Sequence, residues 1–63
     1  MLSETYLSDK HLAERYNVHR TTPWRWVNSM RGFPKPVSLS PGVSRWRLSD
    51  IENWEAARDA ASA

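Results

Sequence analysis

Arginine can bridge guanine O6 and N7 with two parallel hydrogen bonds, and asparagine can do the same for adenine N6 and N7. Arg20, Arg25 and Asn28 lie in one short stretch, with Thr21, Thr22 and Trp24 between and beside them. Threonine hydroxyls and a lysine ammonium suit phosphate oxygens, contacts that set register without reading bases. Lys35 follows that stretch, and Arg45 and Arg47 come a little further on, two residues apart. An arginine held away from a recognition helix suits the negative potential of a narrow minor groove.

Charge distribution strengthens this chemistry. From Arg15 to Ser49 the chain carries Arg15, Arg20, Arg25, Arg31, Lys35, Arg45 and Arg47 and no carboxylate. From Asp50 onward the balance reverses, with Asp50, Glu52, Glu55 and Asp59 against Arg58. The net charge of +2 conceals the split. Like charges crowded into one segment repel, which a polyanionic partner explains more easily than folding does. Each residue also has a plainer use. Arg25 and Asn28 could be solvated surface, and Thr21 and Thr22 helix caps. Arg47 could pair with Asp50 or Glu52, His19 could be a cap, and Trp24 could pack on a sugar-phosphate backbone or cover a gap beside a hairpin.

Sixty-three residues make a single domain, residues 1–63, with an ordered core expected over about 6–59. A chain this short buries only about 60% of the surface it exposes when unfolded. With no cysteine there is neither a disulfide nor a thiolate metal site to support it. His11 and His19 have no ligand-like cluster around them, so neither metal nor cofactor is expected. The core must come from apolar side chains, Trp24, Trp26, Trp46 and Trp54 foremost, at least two of them interior. No run approaches the ~20 apolar residues of a membrane span, and no signal-peptide pattern opens the chain, so a cytoplasmic protein is expected.

The elements that must position these residues read as helix, helix, hairpin, helix. Ser8 caps a first helix over Asp9–Tyr16, with Asp9 favourable to the helix dipole and Leu7 and Leu12 forming a staple. Asn17 provides a left-handed stop, with Val18 folding back. A second helix runs from about Arg20 or Thr21 to Met30. Pro23, Trp26, Val27 and Met30 form its apolar stripe, with Thr21, Trp24, Arg25 and Asn28 on the other side. Pro23 is tolerated only in the first turn. Gly32 at C′ and Pro34 beyond it end the helix.

Two helices so closely joined form a helix-turn-helix pattern. After Pro36 the period becomes two. Val37 and Leu39 point one way, Ser40-Pro41-Gly42 turns, and Trp46 points inward with Arg45 and Arg47 opposite. Ser49-Asp50-Ile51-Glu52 reads as a capping box opening a third helix, with Ile51 and Trp54 closing the core and the acidic residues exposed. Ala60-Ala61-Ser62-Ala63 is expected to fray. The fold class is mainly α with a small β-hairpin, a compact winged helix-turn-helix.

The runs Val18-His19-Arg20-Thr21-Thr22-Pro23-Trp24-Arg25-Trp26-Val27, Phe33-Pro34-Lys35-Pro36-Val37-Ser38-Leu39, Arg45-Trp46-Arg47 and Ile51-Glu52-Asn53-Trp54 resemble the AlpA-like family of phage-type regulators. The likeness covers nearly everything from Leu7 to Arg58. Its most specific pieces are F-P-K-P-V-x-L and the W-R pair before the last helix. It implies a winged helix-turn-helix related to the excisionases and to the DNA-binding domain of MerR-type regulators, acting on DNA in bacteria or their phages. The sequence departs from the family where Pro23 replaces an aliphatic residue, Asn17 a glycine, and His19 a Ser or Thr cap.

These readings converge on sequence-specific binding of double-stranded DNA, with the second helix in the major groove and the 37–47 hairpin as the wing. Arg20, Thr21, Thr22, Trp24, Arg25, Asn28, Lys35, Arg45 and Arg47 are the candidate contacts. One alternative keeps the fold and makes the protein an excisionase-like factor that bends DNA for a recombinase; self-association on DNA fits either role. Another is a protein–protein module anchored by Trp24. Catalysis is not expected, nor a small-molecule substrate: there is no nucleophile–base–orienter set, no phosphate-binding glycine loop and no metal cluster.

Overall fold

Ser8 starts the first helix by accepting a hydrogen bond at Oγ from the His11 amide (3.2 Å). His11 Nδ1 in turn accepts from the Ser8 amide (3.0 Å). Imidazole thus does what Glu or Gln does in the usual capping box. In the computed structural model, which describes residues 4–62 and side chains as far as Asp59, helix α1 is Asp9–Tyr16. Asn17 closes it at φ 56°, ψ 51°, and the Val18 amide returns to the Ala13 carbonyl (2.9 Å). An asparagine tolerates this left-handed geometry better than other residues with a side chain.

Helix α2 is Thr22–Ser29. Thr21 makes no side-chain cap. The Arg25 amide reaches the Thr21 carbonyl (3.1 Å), and His19 braces the turn by accepting the Thr21 amide at Nδ1 (3.2 Å). Pro23 is the second helical residue, where its missing N–H costs nothing, and its ring is fully buried. The helix stops sooner than its apolar stripe. Met30 is extended (φ −104°, ψ 112°), so Gly32, at φ 91°, turns the chain two residues beyond Met30 and is not the immediate stop.

Strands β2 (Val37–Ser40) and β3 (Val43–Arg47) form the hairpin around Pro41-Gly42, with Gly42 at φ 77°. A short strand β1 (Tyr6–Leu7) adds to the other edge of β3, giving an antiparallel sheet in the order β1-β3-β2. Tyr6 pairs with Arg47 and Leu7 with Trp46. Element order is β1, α1, α2, β2, β3, α3, which retains helix, helix, hairpin, helix and adds the leading strand.

The register decides which way Val37 faces. Val37 pairs with Arg45, so it lies on the Arg45 side of the sheet, opposite Trp46. An irregularity between Ser38 and Ser40 sets Leu39 out of the ladder, 48% exposed. Neither residue joins the core.

Helix α3 (Leu48–Ser62) follows β3 directly, starting one residue before the expected capping box. It extends through the alanine-rich tail expected to fray; residues 1–3 and 63 lie outside the described residues. Its first amides are met by the chain's beginning. The Leu48 amide donates to the Thr5 carbonyl (2.8 Å), and Ser49 Oγ donates to Glu4 Oε1 (2.7 Å). Ser49 is thus a helical residue bound to Glu4 and not a cap for Glu52. This hydrogen bond holds the Glu4 carboxyl below its ordinary value.

Leu12, Phe33, Trp46 and Ile51 form the buried centre, with Leu7, Tyr16, Trp26, Val27, Met30 and Trp54 packed around them. The aromatic rings are contiguous: Phe33 stands edge-on to Trp54 (4.9 Å) and Trp26 (5.4 Å), and Trp24 lies on Trp46 (4.8 Å). Contacts of this kind add about 0.5–1.5 kcal/mol per pair beyond area burial. The Trp46 indole N–H, taken from water, finds the Pro34 carbonyl (2.9 Å).

Helices α1 and α3 are tied by a fork. Arg15 Nε and Nη2 donate to Glu55 Oε2 and Oε1 (2.8 and 2.7 Å), and Tyr16 Oη donates to Oε2 (2.6 Å). Against the expectation of exposed acids on this helix, Glu55 is half-buried and fully engaged. Arg15 holds its carboxyl below the ordinary 4.5, burial opposes this, and Tyr16 assists. A carboxylate with a depressed folded value stabilises the fold above its unfolded value and loses that contribution as pH falls. Glu55→Gln is expected to cost about 1 kcal/mol at pH 7, a melting temperature about 4–8 °C lower, discounted for the partial exposure of the pair. The gap to wild type should narrow as pH falls below the ordinary 4.5 and close only once the depressed folded carboxyl is itself protonated. Thermal melts of the two proteins between pH 7 and pH 3 test this; a gap constant with pH would rule it out.

Candidate nucleic-acid interface

Three of the seven cations between Arg15 and Ser49 are engaged by carboxylates. Arg15 binds Glu55, Arg20 Nη2 lies 3.5 Å from Asp9 Oδ2, and Arg47 Nη1 lies 3.9 Å from Asp50 Oδ2. Arg25, Arg31, Lys35 and Arg45 enter no ion pair among the described residues. The Arg15 pair is internal bracing, and the other two are long contacts between exposed arginines and acids within reach.

Seven of the nine candidate residues line three surface depressions, and Thr21 and Arg47 line none of them. Arg20 and Trp24, from the turn and first half of α2, face Arg45, Ser44 and Gly42 of the hairpin across a cleft of about 360 Å³. Ser8 and Asp9, at the start of α1, complete it. This is where helix and hairpin come together. Thr22, Arg25 and Asn28 line a second, more open groove along α2 with Trp26 and Ser29. Lys35 lies apart, in a groove of about 620 Å³ with Arg31, Asp50, Trp54 and Arg58. Arg47 flanks the same Asp50. The expected single face thus has two neighbouring parts along α2 and an outlying part beside α3.

Individual side chains are held differently. Arg25 is exposed, and its backbone carbonyl takes the Ser29 hydroxyl (2.7 Å), which leaves the guanidinium uninvolved in that bond. The Asn28 amide nitrogen donates to the Trp24 carbonyl (3.2 Å), a bond that would be exchanged on reading an adenine edge. Thr21 Oγ1 lies 2.9 Å from His19 Nδ1. Arg45 Nη1 donates to the Ser44 carbonyl (2.8 Å), bending the side chain along the strand.

Trp24 is 37% exposed, yet it is not loose. Its ring lies on Trp46, and its Nε1–H donates to Asp9 Oδ2 (3.0 Å). That hydrogen bond is the chief reason the Asp9 carboxyl lies below its ordinary value; burial opposes it, and the Lys10 amide and Arg20 add to it. Asp9 has no place among the nine candidates, because its sequence position marks only a residue suited to a helix start. Nothing in its spacing to Trp24 signals the contact.

No protein-family model matches the chain, nor does any curated protein or solved structure.

Proposed function

We propose that this protein binds double-stranded DNA sequence-specifically, α2 entering the major groove and the β2–β3 hairpin lying against the adjoining backbone and minor groove, as a phage-type transcriptional regulator in the bacterial cytoplasm. The carrying observation is the cleft in which Arg20 and Trp24 of the helical segment meet Arg45 of the hairpin. Two chain segments thereby present cations to one concave surface. Arg25 and Asn28, one step along α2, are the base-reading pair; Arg20, Thr21, Thr22 and Arg45 suit the flanking phosphates. Lys35 and Arg47 are placed to meet DNA only where it extends past the hairpin toward α3. The resemblance to AlpA-like regulators supports the same reading, and among the described residues no helix is long and apolar enough to cross a membrane.

One observation favours the excisionase-like role as the second reading. Leu39 stands out of register on the wing and is 48% exposed. An apolar wedge beside a minor groove can part a base step and kink the duplex. The protein–protein reading is weakened because Trp24 is fixed by Trp46 and Asp9.

Fluorescence anisotropy with a labelled duplex selected from a random pool tests the proposal. The log of the affinity is expected to fall with log salt, by about 0.9 per phosphate neutralised. Arg45→Ala should reduce the slope by about one such step, with similar losses on all sequences. Affinity indifferent to salt would reject DNA binding.

A further inference from the structure

The cleft between α2 and the hairpin contains an acid where a DNA-binding surface should repel one. Asp9 Oδ2 accepts the Trp24 indole N–H (3.0 Å) and lies 3.5 Å from Arg20 Nη2, so two donors converge on one anionic oxygen. Arg45 stands on the opposite wall. We propose that Arg20 and the Trp24 indole N–H form a backbone-phosphate subsite, occupied in the free protein by the Asp9 carboxylate and taken over by a phosphodiester when duplex binds. The inference rests on the DNA-binding reading and adds to it a specific subsite and a resident competitor.

The geometry favours exchange over permanent bracing. Carboxylate and phosphodiester each offer a pair of oxygens sharing one negative charge, so the same N–H donors can serve either. The Arg20–Asp9 contact is longer than the ~2.7–2.9 Å of a charge-assisted hydrogen bond. The Arg15–Glu55 fork on the same molecule, at 2.7 and 2.8 Å, shows what a structural pair looks like in this fold. The Arg20 side chain is 65% exposed, so its remaining N–H groups face solvent. The donor on Trp24 is pre-oriented, because Trp46 under its ring fixes the indole plane. Asp9 is the first residue of α1, so its side chain can leave without disturbing a helical backbone bond.

The test compares wild type with Asp9→Asn, Arg20→Gln, their combination, Trp24→Phe and the exposed α1 control Glu14→Gln, on the selected duplex at fixed salt. Asp9→Asn should bind roughly two- to fivefold more tightly, as expected when one surface charge pair no longer has to be broken. Glu14→Gln should change affinity less than about twofold, the charge being away from the subsite. The gain from Asp9→Asn should vanish in the Arg20→Gln background. Trp24→Phe keeps a ring on Trp46 but removes the donor. It should weaken binding, and it identifies the Trp24 indole N–H resonance, which should move when duplex is added to wild type.

Equal gains from Asp9→Asn and Glu14→Gln, or none from the former, would overturn the subsite while leaving DNA binding intact. If Asp9→Asn does not fold, unchanged affinity in Trp24→Phe overturns it alone. A resonance that moves with inorganic phosphate and not with duplex would make this a free-anion site and also refute the proposal. Wild type that fails to bind any selected duplex removes the functional reading, and the subsite with it.

Discussion

Trp46→Ala is expected to leave this protein largely unfolded at 25 °C. The side chain is fully buried, packs against Phe33, carries Trp24 on its face and satisfies its own N–H on Pro34. Removing a buried tryptophan costs about 3–5 kcal/mol. A core in a chain of this size rarely supplies more than about 3–5 kcal/mol in total. Loss and supply are therefore of the same size, and β3, the central strand, loses the residue that holds it to the helices. Trp46→Phe should be milder, keeping most of the apolar contact and losing one hydrogen bond worth about 1 kcal/mol. Far- and near-ultraviolet circular dichroism with urea titration provides the measurement. A cooperative Trp46→Ala transition with a midpoint close to wild type would show that the core does not depend on this ring.

Arg25→Ala is expected to have the largest effect on binding with no comparable effect on folding. The guanidinium is exposed and outside every ion pair among the described residues, so truncation leaves no orphaned charge. A bidentate arginine–guanine contact is worth about 1–3 kcal/mol, which corresponds to roughly 5- to 150-fold in affinity. The loss should be greatest on the preferred sequence and small on unrelated duplexes. Arg25→Lys separates the two causes, because a lysine keeps the charge and gives up the planar fork. If Arg25→Lys restores full affinity and the loss in Arg25→Ala is uniform across sequences, Arg25 contacts phosphate and the base-reading assignment fails. An unchanged melting curve for both variants completes the result.

Local signals make α1 legible to the residue. Ser8 and Asn17 mark its ends, and each acts on neighbours three or four positions away. The Pro41-Gly42 turn is equally legible, because only a few residue pairs suit it. Strand β1 is not. Two residues carry no periodicity, and their partners, Trp46 and Arg47, stand far along the chain. The start of α3 escapes a local reading for a related reason. Ser-x-x-Glu is a local signature, but Glu4 reaches Ser49 from the opposite end of the sequence.

Alternation in β2 shows that Val37 and Ser38 face opposite ways without showing which way is inward. The pairing with Arg45 decides that, and pairing is a property of two strands. The candidate site follows the same division. The basic side of α2 can be read from helical spacing alone. The Asp9–Trp24 contact and the Arg15–Glu55 fork join separate elements and leave no pattern in either one. Charge groups Lys35 and Arg47 with Arg20, yet it carries no information about which groove a residue will border.

The arrangement of the three strands also limits how copies of this molecule could meet. On one side the sheet ends in β1, only two residues long; on the other it ends in β2, which is bracketed by Pro36 and Pro41 and interrupted at Leu39. Short, proline-flanked and irregular margins offer a neighbour little backbone to extend. If the chain binds DNA as proposed, side-by-side occupancy of adjacent sites would therefore depend on side chains or on the DNA itself, so cooperativity should respond to the spacing between sites. Aggregation through added strands should be rare even at high protein concentration.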